Sequence, residues 1–279
     1  MAVQLLEAIG TADDIPMLRQ LSKTRQLGAP SAGRDLARRL APRIYVEDLG
    51  RFSIRIANTT FPGTDVRRKV LALLGYLLTR PQFSATRDQI LEALWPDLEP
   101  GSAANSLNQT CYFLRRVLEP EYDEETSPGY LCSKGELIWL DQDLVTSRSA
   151  ESLRILADLR RGATPDLVGR LSETYTGRFA TDFLYDDWAA AYRENLHAAF
   201  LGQVERSITA DIEIGAFDRG ISIAQSALMA DPDADQIELH LLRLYRLTGA
   251  HTAAAEQYAH YATVLREQLG VEPPPLDSI

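Results

Sequence analysis

The stretch Ser102–Leu118, SAANSLNQTCYFLRRVL, concentrates side chains that can read nucleic-acid bases. Wound as a helix at about 100° per residue, it has one apolar stripe. Ala103, Leu107, Cys111, Leu114 and Leu118 fall on it, with Thr110 and Val117 beside it. The opposite face carries Asn105, Gln109, Tyr112 and Arg116, flanked by Asn108, Phe113 and Arg115. Asn and Gln amides bond bidentately to adenine, Arg bonds guanine or phosphate, and aromatic rings touch thymine methyls. A carboxylate there would repel phosphates, and the stretch holds none, in a chain of formal net charge −10. The rival reading is a helix packed on another domain through Tyr112 and Phe113. The helix by itself does not decide between them.

The surrounding elements favour the DNA reading. From Arg43, the segment RIYVEDLGRFSIRIANTTF alternates and is β-branched, with turn points at Gly50 and Asn58, which predicts two or three antiparallel strands. Three helices come next. The first, TDVRRKVLALLGYLLTR, places Val66, Val70, Leu73, Leu74 and Leu77 on one face and ends before Pro81. The second, TRDQILEALW, opens with Thr86 and Gln89 at capping-box spacing. The third is the stretch above, with Ser102 as its expected N-cap. A hairpin closes the set, YLCSKGELIWL, with Lys134-Gly135 expected at its tip. Sheet, three helices and hairpin are the order of a winged helix-turn-helix, which lays its last helix in a major groove about 12 Å wide. In that frame Arg116 faces a phosphate, and Arg115 either does so or pairs with an acid of the body. Arg67, Arg68 and Lys69 open the first helix, an end whose amides also accept phosphate. Arg87 begins the second helix and Lys134 sits on the wing, both as backbone contacts.

Composition narrows the alternatives. The chain has 279 residues and is 45% hydrophobic, enough for two or three domains. Its charge is uneven: net +2 over residues 1–42, −3 over 43–148 and −9 over 149–279. That balance opposes non-specific nucleic-acid binding but not one local basic face, because salt screens the field within about 8 Å. No apolar run reaches the roughly 18 residues of a membrane span. The N-terminus lacks the pattern of a secretory signal. Cys111 and Cys132 are too few for a disulfide framework. A cytoplasmic, reducing location is expected. There is no phosphate loop, dinucleotide fingerprint or nucleophile elbow. His197, His240, His251 and His260 are scattered, and Glu256 with His260 is too small a set to hold a metal. Neither catalysis, cofactor nor metal is expected. Asp186-Asp187 reads as the capped start of a helix, and Trp95, Trp139 and Trp188 as core anchors.

The flanks are helical. Residues 1–42 contain QLLEAIG, DDIPMLRQLSKTRQLG (stopping at Gly28) and SAGRDLARRLAP, pieces too small to bury a core alone. They read as an N-terminal extension, either the tail of a larger helical array or a brace on the winged-helix region. From Ser149, RSAESLRILADLRRG is one helix and YTGRFATDFLYDDW a loop. Residues 188–269 divide into four helices at Gly215, Asp231-Pro232 and Gly249, ending at Gly270. Asp231-Pro232 and Glu272-Pro273 end similar helices 41 residues apart, a spacing suggestive of a tetratricopeptide-like solenoid.

Several of these pieces together resemble a known family. LGRFSIRI, RRKVLALLGYLLTRP, TRDQILEALWPD, NSLNQTCYFLRRVLEP and GYL resemble the OmpR-like winged helix of the SARP-type transcriptional activators. DFLYDDWAAAYRENL, ALMADPDADQIELHLLRLYRLTGAHTAAAEQY and LREQLGVEPPP resemble their bacterial transcriptional activator domain. The resemblance runs from about residue 44 to the end, and LWPD and LGVEPPP are its most specific parts. Tyr112 and Phe113 depart from the Ser or Thr with Arg that family members often carry. The resemblance implies promoter DNA, bound as a side-by-side pair on direct repeats, and contact with RNA polymerase holoenzyme.

The expected fold is therefore mainly α with a small β component. A helical extension (1–42) precedes an OmpR-like winged helix-turn-helix (43–148: antiparallel sheet, three helices, wing hairpin), and an all-α, tetratricopeptide-like domain (149–279) completes the chain. The expected function is transcriptional regulation, as an activator. The alternatives are the output module of a larger signal-responsive regulator, or a protein- or effector-binding scaffold whose winged helix leaves DNA untouched. The candidate DNA-binding residues are Asn105, Asn108, Gln109, Tyr112, Phe113, Arg115, Arg116, Lys134, Arg87 and Arg67.

Overall fold

A computed structural model describes residues 2–23, 33–124, 127–162 and 164–276. They form two compact units: Met1–Ala150 with Ala180–Tyr192, and Glu151–Phe179 with Arg193–Ile279.

The first unit opens with α1 (Ala2–Ile9), α2 (Ile15–Lys23) and α3 (Arg34–Leu40). Ile15, Leu18, Leu36 and Ala37 form a small core of their own, with Leu6 packed against it. The expected stop at Gly28 lies outside the described residues. These helices grip the winged-helix region through polar contacts. Arg38 pairs with Asp141 and, at 3.0 Å, with Asp143. Arg19 donates to the carbonyls of Glu124 and Ser127, and Tyr130 Oη donates to Pro42 O at 2.8 Å.

Next come β1 (Ile44–Glu47), β2 (Ser53–Ile56) and β3 (Thr59–Pro62), then α4 (Arg68–Leu78), β4 (Ser84–Thr86), α5 (Arg87–Leu94) and α6 (Pro100–Leu118). Strands β5 (Leu131–Lys134) and β6 (Leu137–Leu140) make the hairpin, and β7 (Val145–Ser147) leads into α7 (Arg148–Arg161). The first sheet has the order β3-β2-β1-β7. Its β1–β2 and β2–β3 pairs are antiparallel as expected, while β7 joins β1 in parallel. The second sheet, β4-β6-β5, is antiparallel throughout and adds the short strand before α5 to the hairpin.

Three local expectations need correction. Helix α6 begins at Pro100, with Glu99 as its N-cap, not at Ser102. Pro suits the first helical turn, where no intrahelical partner exists for its missing N–H. The hairpin turn is Gly135-Glu136, because Lys134 still pairs with Leu137. Gly135 there has φ +58°, a conformation that favours glycine. Helix α4 is not one-sided: every residue from Val70 to Leu78 is buried.

The second burial face of α4 comes from Ala180–Tyr192, a segment that the sequence places with the helical domain. Phe183 is 6.0 Å from Phe52 in an edge-on contact, and Trp188 is 6.3 Å from Tyr76. A Cβ at Gly75 would lie 2.7 Å from Trp188 and 3.0 Å from Phe52, so glycine is required in mid-helix despite its low propensity. Asp182 accepts from Phe52 N at 2.7 Å. Asp186, expected as part of a helix cap, pairs at 2.6 Å with Arg68. Asp187 does lie in the first turn of its helix. Trp95 is buried, and Trp139 and Trp188 are half-buried.

The second unit contains the rest of α7, then α8 (Pro165–Thr174), the C-terminal part of α9 (Asp187–Glu213), α10 (Phe217–Ala230), α11 (Asp235–Leu247) and α12 (His251–Val264). The four helices from α9 onward break where Gly215, Asp231-Pro232 and Gly249 predict; α8 is an additional helix, capped by Thr164. Successive packing of α10 on α11 and of α11 on α12 gives the tetratricopeptide-like stack, with α8 against α10. Tyr175 stacks on Phe200 at 3.9 Å. His197 joins this core through its ring nitrogens, Nδ1 lying 2.9 Å from Tyr175 Oη, and Nε2 lying 2.8 Å from Asp231 and 3.1 Å from Arg178 Nη2. Burial and the nearby Arg178 push the imidazole below its usual range.

In the first unit Asp48 is fully buried and accepts from Ser149 N (2.8 Å) and Ser149 Oγ (2.6 Å). Burial raises its carboxyl from 3.8 to about 6, against the pull of those hydrogen bonds. A raised folded-state value favours the protonated form on folding. Its stabilising contribution is thus full below 3.8 and lost as pH rises through about 6. Denaturant titrations between pH 4 and 7 should show the wild-type chain losing about 2 kcal/mol from this group, and Asp48→Asn should flatten that slope.

Candidate nucleic-acid interface

Helix α6 stands on its inner stripe. Ala103, Leu107, Thr110, Cys111, Leu114 and Leu118 are buried, as its spacing predicts. Burial pushes the Cys111 thiol up, keeping it uncharged on that face. Helix α4 packs against α6 and α5, and α5 is fixed at its start by the predicted capping box. Gln89 N donates to Thr86 Oγ1 at 3.3 Å, and Thr86 N donates to Gln89 Oε1 at 3.0 Å.

The outer face of α6 presents Asn105, Asn108, Gln109, Tyr112 and Arg116, all exposed. From Pro100 to Leu118 it contains no carboxylate. Tyr112 keeps 48% of its surface exposed, high for an aromatic ring, and meets Phe113 edge-on at 5.5 Å. Phe113 is half-buried, because the Arg67 guanidinium lies 4.0 Å above its ring. Arg67, Phe113 and Tyr112 therefore form one cluster at one edge of the face.

A second cluster joins α6 to the start of α5. Arg87 Nη2 donates to Asn108 Oδ1 at 2.6 Å, and Arg87 N donates to Glu136 O in the wing turn at 2.8 Å. Arg87 thus links the helix-turn-helix to the wing, and Asn108 has its amide oxygen engaged. Among the described residues, Arg115 pairs with no acid of the body. It reaches the wing strand instead, to Leu131 O at 3.5 Å and Ser133 Oγ at 3.3 Å. Lys134 is exposed at the end of β5, just before the turn. Arg68 and Lys69 are engaged within the chain, Arg68 by Asp186 and Asp182 O, Lys69 by Leu94 O. Of the three cations opening α4, Arg67 is the one that stands at the α6 face.

Sequence reasoning missed Ser133 and Glu136 as partners of these arginines. The hairpin's alternation marks them only as outward positions, and the pairings depend on register. Among the described residues, no group of three or more His, Cys, Asp or Glu is placed to hold a metal, and no helix is long and apolar enough to cross a membrane.

Comparison with known proteins bears on both units. Residues 140–276 match the bacterial transcriptional activator domain family. The regulatory protein AfsR of Streptomyces coelicolor is 29% identical over 209 residues, covering 73% of this chain. The chain spans only about a fifth of AfsR's length. The transcriptional regulatory protein MoaR1 of Mycobacterium tuberculosis is 26% identical over 247 residues, covering 81% of this chain and 74% of MoaR1. Mycobacterium tuberculosis EmbR, solved in complex with a low-affinity phosphopeptide, has a similar fold. Its TM-score is 0.53 at 19% identity, over 84% of this chain and 63% of EmbR. The match to the bacterial transcriptional activator domain family thus lies after the winged helix of the first unit.

The Arg115 contacts generate a test. Arg115→Ala removes two hydrogen bonds between α6 and the wing, worth about 1 kcal/mol together. Amide exchange in Leu131–Leu137 should quicken about fivefold, while the core of α4 keeps its protection.

Proposed function

We propose that this SARP-type chain is a sequence-specific DNA-binding transcriptional regulator, acting as an activator. The single observation that carries this reading is the outer face of α6: exposed amides, a tyrosine and an arginine over nineteen residues without a carboxylate, in a chain of net charge −10. Laid in a major groove, Asn105 and Gln109 reach base edges and Arg116 meets a phosphate. Asn108 is oriented by Arg87, which leaves its amide NH2 to donate to a base acceptor. Tyr112 and the Arg67–Phe113 pair flank the groove contacts, and Lys134 reaches backbone from the wing.

The acidic residues 149–279 suit protein contacts better than DNA, and RNA polymerase holoenzyme is the proposed partner. Binding as a pair on direct repeats, in the cytoplasm, completes this reading. AfsR, of which this chain spans a fifth, favours a second reading in which both parts form the output of a longer regulator.

Quantitative binding across a salt series tests the groove assignment. Arg116→Ala should weaken all duplexes together and reduce the log–log salt slope by about 1. Gln109→Ala should cost about 1–3 kcal/mol at one base position and relax preference there. Unchanged binding in both variants contradicts the assignment of α6 to the groove.

A further inference from the structure

Within the second unit, α7 and α9 leave an open groove of about 640 Å3. Leu156 and Leu159, both buried, line it from α7. Ala198, Ala199 and Ala210 on α9 keep it open, because larger side chains there would fill it. Its polar lining is Arg160, Arg206, Gln203 and Ser207, and among the described residues no acid lines it. This is unusual in a region that carries net −9 over residues 149–279.

The groove's polar side is ordered. Gln203 keeps only 5% of its surface exposed, donates to Ser207 Oγ at 3.2 Å, and accepts from Arg206 Nη2 at 2.8 Å. One guanidinium nitrogen of Arg206 is thus tied to a buried amide, which limits the rotamers of a normally flexible side chain. Arg160 lines the same groove from the facing helix. An apolar floor of drug-sized volume with a few placed polar groups is the general character of a small-ligand site. Two arginines without an acid make the complement of an anion.

We propose that this groove binds a small amphipathic anion, an apolar body bearing one carboxylate, phosphate or sulfonate. The body lies on Leu156, Leu159 and the alanines, and Arg160 and Arg206 hold the head group. The site is independent of the α6 face, so its test involves no DNA.

The full chain is titrated with 8-anilinonaphthalene-1-sulfonate and, in parallel, with N-phenyl-1-naphthylamine, which has the same apolar rings without the sulfonate. The expected result is saturable sulfonate binding at least tenfold tighter than that of the uncharged analogue. Arg206→Gln and Arg160→Gln should each weaken the sulfonate five- to tenfold and leave the analogue unchanged. Ala199→Leu should reduce both, with the circular dichroism spectrum and melting temperature of the wild type retained. Absence of saturable sulfonate binding, equal binding of the two probes, or binding that survives all three substitutions overturns the proposal.

Discussion

Helix α4 meets protein on every side from Val70 to Leu78, and the first unit is arranged around that burial. Helices α5 and α6 and strands β4 and β6 pack against it, and Phe52 and Trp188 close on Gly75. A helix buried all round offers no polar face, so its neighbours inherit fixed positions. Helix α6 can then lean on α4, bury its inner stripe and turn its opposite face outward. The exposed amides are a consequence of that packing as much as of their own chemistry.

The arginines divide by use. Arg68 with Asp186, Arg38 with Asp141 and Arg148 with Glu47 hold the unit together. Arg87 and Arg115 attach α6 and the wing to each other. Arg116 and Lys134 remain at exposed positions on the α6 face and the wing. Exposed ion pairs contribute little each. The value of Arg87 and Arg115 lies in geometry, since the proposed reading of a groove needs helix and wing at a fixed separation. Such tethering keeps the ordering cost of binding low.

Much of this is legible in the sequence, and the limits are physical. The inner stripe of α6, the Thr86–Gln89 capping box and the breaks at Gly215, Asp231-Pro232 and Gly249 are local, and each reads directly from spacing. The surrounded state of α4 depends on Phe183 and Trp188, more than a hundred residues away, which no periodicity announces. The parallel pairing of β7 with β1 is equally non-local. Helix α8 carries local signals of its own, a Thr164 cap before Pro165 and an apolar side with Val168 and Leu171, within only ten residues. At the site, the exposed row on α6 is readable, but the partner of Arg115 is not: adjacent arginines diverge by about 100°, and which neighbour each meets depends on where the wing folds back. The half-burial of Phe113 under Arg67 has the same origin.

The central claim is that α6 reads bases. Selection of randomised duplexes by the purified chain at about 150 mM salt, with sequencing of the bound fraction, tests it most directly. The account predicts enrichment of a direct repeat with half-sites about one helical turn apart, ~10–10.5 base pairs. Weak binding without enrichment, lost as salt rises, would contradict it and leave the winged helix as a fold without base readout.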